Sequence, residues 1–169
     1  MTPLVSIIMG STSDLPILRK AADFLEQLQI PFEISALSAH RTPAQVEEFA
    51  RSAQGRGLKV VIAAAGMAAA LPGVIAAMTP LPVIGVPISS TLSGTDALFS
   101  IVQMPPGIPV ATVGINGAMN AAILAAQIIA LSDPEVAKRL DKYRASLSDK
   151  IVKANADLAK IDEYTFKCN

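Results

Sequence analysis

Five short apolar runs punctuate the first three-quarters of the chain: Leu4–Met9, Phe32–Ala36, Val60–Ala65, Pro82–Val86 and Val110–Val113. Their length and their Val, Ile and Ala content predict strands. Between them, apolar residues recur at helical spacing over Leu15–Leu28, Pro43–Gly55, Met67–Met78, about Thr95–Gln103 and about Ala118–Leu131. Strand and helix patterns that alternate in this way imply βαβ units around a parallel sheet with right-handed crossovers. Two helix starts are well marked. Thr42-Pro43-Ala44-Gln45 reads as an N-cap, a proline at the first helical position and a Gln three residues after the cap. Asp133-Pro134-Glu135 opens a last helix that runs to about Lys160. Its apolar stripe of Val136, Leu140, Tyr143, Leu147, Ile151, Leu158 and Ile161 fits packing on a neighbouring subunit or on its own domain equally well.

Charge is distributed unevenly along this pattern. Between Lys59 and Asp133 the only charged residue is Asp96. A membrane span over Val60–Met78 has to be weighed, because its 19 residues carry no charge. Gly66, Pro72 and Gly73 interrupt that stretch and Pro80, Pro82 and Pro87 follow it, which favours strand, loop and helix over one spanning helix. The better account is burial: parallel strands covered on both faces read as continuous apolar runs, and the surplus apolar surface is expected to meet other subunits. The 169 residues suit one domain, residues 1–169, with an α/β core over 1–132 and a helical extension over 133–169. Lys plus Arg equals Asp plus Glu at 14 each, so no basic surplus points to nucleic acid. The single cysteine, Cys168, excludes an internal disulfide and a multi-cysteine zinc cluster, which suits a reducing cytosol. Met1-Thr2-Pro3-Leu4 lacks the basic start of a signal peptide, and a cytoplasmic location is expected.

Ligands of open parallel sheets bind at the carboxyl ends of strands. Four segments of the chain fall there. Gly10-Ser11-Thr12-Ser13-Asp14 follows the first strand and opens a helix. Its glycine, hydroxyls and free N–H groups suit a phosphate, and Asp14 suits ribose hydroxyls; capping by Ser13 or Asp14 explains the same residues. Ser38-Ala39-His40-Arg41-Thr42-Pro43 follows the second strand. It holds the only histidine, whose imidazole can both give and take a proton and so suits acid–base work, beside an arginine suited to an anion. The third segment, Ala64 to Gly73, is built of small residues with N–H groups available to a carboxylate or CO2, although composition alone favours tight helix–sheet packing. The fourth, Ser89 to Asp96, offers hydroxyls, and a helix-capping loop accounts for it equally well.

Taken together, Met9-Gly10-Ser11-Thr12-Ser13-Asp14, Ser38-Ala39-His40-Arg41-Thr42-Pro43, Leu71-Pro72-Gly73, Leu81 to Pro87 and Ser100 to Pro105 resemble the N5-carboxyaminoimidazole ribonucleotide mutase family of purine biosynthesis, in order and over about residues 4 to 131. The resemblance implies a flavodoxin-like three-layer αβα sandwich assembled as a homo-octamer. It also implies a reaction without cofactor or metal, in which a carboxyl group migrates from the exocyclic nitrogen of a phosphoribosyl imidazole to ring carbon C4. Ser11, Ser13, Asp14, Ser38 and Arg41 would hold phosphate and ribose, with Gly10 and Ala39 beside them. His40 would protonate the carbamate nitrogen and later take the C4 proton. A closed, small-residue pocket around Gly66 to Ala70 would retain the released CO2 and exclude water, with Ala65, Gly66, Met67, Ala70 and Leu71 as substrate contacts. A related carboxylase branch that uses free CO2 has Lys in place of Arg41 and Arg-Ser-Asn in place of Met67-Ala68-Ala69. This chain has neither, so the resemblance is to the mutase branch. Many mutases carry Gly-Ala-Ala-His before Leu-Pro-Gly; here that histidine position is Ala70, which leaves His40 as the one imidazole. A non-catalytic nucleotide-binding protein of the same fold remains the alternative from another class.

Overall fold

The computed structural model describes residues 2–168. Five parallel strands, β1 (Val5–Met9), β2 (Phe32–Ala36), β3 (Val60–Ala65), β4 (Val83–Pro87) and β5 (Ala111–Thr112), form one sheet in the order β2-β1-β3-β4-β5. The register sets Val5 beside both Phe32 and Val60, and Val61 beside Val83. Helices α1 (Leu15–Gln27) and α5 (Ala118–Ala130) cover one face. There Ile7, Ile62 and Ile84 of the sheet pack with Leu18, Leu25, Ala122 and Ala126. Helices α2 (Pro43–Ser52), α3 (Leu71–Ala76) and α4 (Thr95–Val102) cover the other. There Ile8, Val61 and Ala63 meet Val46, Ile75 and Ile101. The result is a flavodoxin-like αβα sandwich. Every residue of β1, β3 and β4 is buried, which is why their sequences show no polar alternation.

The strand order places the reversal of chain direction between β1 and β3, because the chain moves outward from β1 to β2 and then returns past β1 to β3. The loops leaving β1 and β3 therefore diverge and open a crevice at their carboxyl ends.

Three local expectations are corrected. The helix expected over Met67–Met78 spans only Leu71–Ala76. Pro72 has no N–H to give the Ala68 carbonyl and its ring would crowd that carbonyl, so an Ala-rich helix cannot run through it from Met67. The freed residues form a loop in which Met67 and Ala69 have positive φ, 56° and 23°. The last strand shrinks from Val110–Val113 to two residues, since it pairs with β4 alone. Thr42 occupies the N-cap of α2 but makes no capping bond; its hydroxyl turns back to Ser38 instead.

The last helix, α6 (Pro134–Ala159), is capped by Asp133, which accepts the N–H groups of Glu135 and Val136. Its first turns dock on the α1/α5 layer through buried Val136 and Leu140, an edge-on contact between Tyr143 and Phe24 at 4.8 Å, and an Arg139 hydrogen bond to the Leu28 carbonyl. Beyond them Leu147, Ile151, Val152 and Leu158 are exposed. The stripe therefore divides: its first half packs on its own domain and its second half does not.

Candidate active site

The crevice at the β1/β3 divergence holds a cavity of about 570 Å3. Four strand ends contribute to it.

The loop after β1 is tied to the sheet by the Gly10 N–H, which donates to Ala64 O at 3.1 Å. Ser11 is extended, and its Oγ accepts from the Ser13 N–H (3.3 Å) and lies 2.8 Å from Ser13 Oγ. A single 3-10 turn over Thr12–Asp14 then leads into α1. Asp14 sits at the N-cap of α1 yet makes no side-chain capping bond, so its carboxylate is free to line the cavity. Burial pushes the Asp14 carboxyl up from its ordinary 3.8, while hydrogen bonds from the Ser13 side chain and the Ser11 backbone pull the other way.

The loop after β2 is closed by a pair of reciprocal bonds. The Ser38 N–H donates to Thr42 Oγ1 (2.9 Å), which in turn donates to Ser38 O (3.1 Å). The Thr42 N–H reaches the same carbonyl at 2.8 Å. Ser38 Oγ accepts from both the backbone N–H (3.2 Å) and Nε (3.3 Å) of Arg41, whose Nη2 donates to Gly10 O across the cavity floor at 2.9 Å. Arg41 thus bridges the first two loops. His40 stands at the apex of this turn, exposed and lining the cavity, and its ring hydrogen-bonds no described residue.

The loop after β3 forms the opposite wall. Ala65 and Ala69 are buried, the Ala69 N–H closes a turn on Gly66 O at 3.1 Å, and Met67 projects outward. Small side chains leave room here, and the two positive φ values mark a backbone held in a costly conformation, as recurs at binding sites.

All the site residues expected from the sequence line this one cavity: Gly10, Ser11, Ser13, Asp14, Ser38, Ala39, His40, Arg41, Ala65, Gly66, Met67, Ala70 and Leu71. Asp96, the other titratable group noted near the strand ends, does not. It binds the Thr91 hydroxyl and the Ala97 N–H instead. Ala68, Ala69, Ile88 and Ser90 complete the lining without having been singled out. The first two lie inside the small-residue loop already noted. Ser90 belongs to the hydroxyl-bearing segment after β4, where sequence alone did not separate a ligand role from helix capping.

A doubly wound parallel α/β protein with a polar ligand cleft at the turning point of its sheet is the class these features define. The AIR carboxylase family model matches residues 4–150, and the chain belongs to that family. It is 58% identical over 146 residues to the N5-carboxyaminoimidazole ribonucleotide mutase of Pyrococcus abyssi, covering 86% of this chain and 84% of that one. It is 52% identical to the mutase of Thermotoga maritima, over 94% of both chains. It is also 53% identical to part of the phosphoribosylaminoimidazole carboxylase of Candida albicans, of which it covers 27%. The crystal structure of Treponema denticola PurE shares the fold with a TM-score of 0.84 at 34% identity, over 92% of this chain and 98% of that one.

Proposed function

We propose that this chain is an intramolecular carboxyl-transfer mutase of purine biosynthesis, converting N5-carboxyaminoimidazole ribonucleotide to 4-carboxy-5-aminoimidazole ribonucleotide. The observation that carries this reading is that the only imidazole in the chain, His40, lines the same cavity as Asp14, Arg41 and the small-residue wall from Ala65 to Leu71. The two mutase relatives at 52% and 58% identity support it.

The roles are those the family resemblance implies, and the chemistry of the side chains fits them. Ser11, Ser13, Ser38 and Arg41 hold the phosphate and Asp14 the ribose hydroxyls, with the Gly10 and Ala39 backbones alongside. His40 donates a proton to the carbamate nitrogen, the N–C bond breaks with its electron pair staying on that nitrogen, and CO2 leaves with both its carbon–oxygen bonds intact. The electron-rich ring then attacks that CO2 through C4, and His40, now neutral, removes the C4 proton. One proton is lent and returned, so no cofactor or metal enters. Ala65, Gly66, Met67, Ala70 and Leu71 keep the CO2 in place and water out. The chain works as one domain, 1–169, in the cytoplasm, and assembles as a homo-oligomer, an octamer by family resemblance. Exposed Leu92, Phe99, Val102 and Met119, together with the far half of α6, are the apolar surfaces that support assembly. No helix among the described residues is long and apolar enough to cross a membrane.

Replacing His40 by Asn tests the reaction. Turnover is expected to fall by about 10²–10⁴-fold while nucleotide binding persists; intact turnover would overturn the mechanism. The Candida albicans carboxylase supports a second reading, addition of free CO2 to aminoimidazole ribonucleotide. A mutase rate is independent of added bicarbonate, and a rate that rises with it would favour the carboxylase.

A further inference from the structure

The cavity is lined by four serines, Ser11, Ser13, Ser38 and Ser90. Three of their hydroxyls take part in bonds within the protein: Ser13 donates to Ser11, and Ser38 accepts from Arg41, so Ser11 and Ser38 keep their protons for the phosphate side of the cavity. Arg41 gives Nε to Ser38 and Nη2 to Gly10, which orients its remaining N–H groups towards the phosphate. Ser90 differs. No described residue hydrogen-bonds its hydroxyl, although neighbouring Thr91 and Thr95 both spend theirs inside the loop.

Ser90 is nonetheless held firmly in place. The Ile88 N–H donates to Ala65 O at 2.9 Å, which anchors the chain to β3. The Ser89 N–H donates to Asn116 Oδ1 at 2.9 Å, and the Asn116 N–H to Pro87 O at 2.8 Å. On the far side Leu92, Ser93 and Gly94 all have positive φ, and a Cβ on Gly94 would come within 2.7 Å of Ile115 and 3.1 Å of the Ser89 backbone. The Ser90 side chain leans on the start of the small-residue wall, where a Cβ on Gly66 would lie 2.8 Å from Ser90 Oγ. Gly66 is therefore what admits this hydroxyl to the cavity.

A carboxylate enclosed by Ala65, Gly66, Ala69 and Leu71 loses water on that side and needs a donor to replace it. Ser90 is the one serine of the cavity whose hydroxyl makes no hydrogen bond to a described residue, and it is the hydroxyl beside Gly66, two strand spacings, about 10 Å, from the phosphate-type loop after β1. We infer that Ser90 donates a hydrogen bond to the migrating carboxyl group and discriminates carboxylated from uncarboxylated nucleotide. This rests on the carboxyl-transfer reading and adds to it a carboxylate-binding residue.

The test is calorimetric titration of wild type and Ser90→Ala with two ligands, aminoimidazole ribonucleotide and its 4-carboxy derivative. The variant is expected to bind the carboxylated nucleotide about tenfold more weakly and the uncarboxylated one unchanged. Equal loss for both ligands would make Ser90 a structural support of the Gly66 loop, and no loss for either would leave it a bystander; each overturns the inference. Failure of wild type to bind either nucleotide would instead reject the carboxyl-transfer reading itself.

Discussion

At the residue scale, Asp14 links the site to stability. Its carboxyl is raised by burial, so the folded protein holds that proton more tightly than the unfolded chain does. Ionising it above its folded pKa costs stability, and below 3.8 both states are protonated and the cost vanishes. Asp14→Asn is therefore expected to melt at a higher temperature than wild type near pH 7, with the gain shrinking as the pH falls through the acid range towards and below 3.8. The same variant is expected to bind nucleotide about tenfold more weakly, through the lost acceptor for ribose. Melts at two pH values together with a titration check both halves. The sequence placed Asp14 at a helix start without distinguishing a cap from a ligand. In the structure the N-cap position carries no side-chain bond and the carboxylate lines the cavity, which favours the ligand reading.

At the scale of elements, the turn between β2 and α2 shows what a motif reading misses. Thr42 followed by Pro43 and Gln45 has the form of a capping box, but the hydroxyl serves the loop that precedes it. A cap uses the hydroxyl oxygen as acceptor, and here that oxygen accepts the Ser38 N–H instead. Thr42→Val removes both reciprocal bonds while keeping the shape. It is expected to cost about 1 kcal/mol of stability and to lower kcat more than it weakens nucleotide binding, because His40 at the apex loses its support. Chemical denaturation and steady-state kinetics measure the two effects. The Ala-rich stretch before Pro72 gives a second case: helix propensity favours Met67–Met78, and one proline moves the start to Leu71, releasing the residues that wall the cavity.

At the scale of the whole molecule, the α6 stripe has two fates. Val136 and Leu140 are buried on the α1/α5 layer, whereas Leu147, Ile151 and Leu158 face outward. Ending the chain after Ser146 is expected to preserve the melting transition of the core and nucleotide binding, and to reduce the assembled mass measured by light scattering. An unchanged mass would show that the outer half of α6 takes no part in assembly. Leu140→Ala makes the opposite point. It empties a buried site and is expected to cost about 2–5 kcal/mol whatever the oligomeric state.

Local rules determined much of this protein. The apolar runs with their periodicities specified the αβ alternation, and the position of Gly10 to Asp14 and Ser38 to Arg41 after strands one and two marked them as site loops. Those features depend on neighbours a few residues away, so they are written in the order of the chain. Tertiary structure decided the rest. It joined four loops from four strands around one cavity, made Arg41 a bridge to Gly10, turned Thr42 away from its helix and left the Ser90 hydroxyl free beside Gly66. Each of these depends on which groups meet across the sheet, and on which hydrogen-bond partner is nearest once they do. Residues as far apart in sequence as Gly10 and Arg41, or Gly66 and Ser90, acquire their relation only when the strands pair.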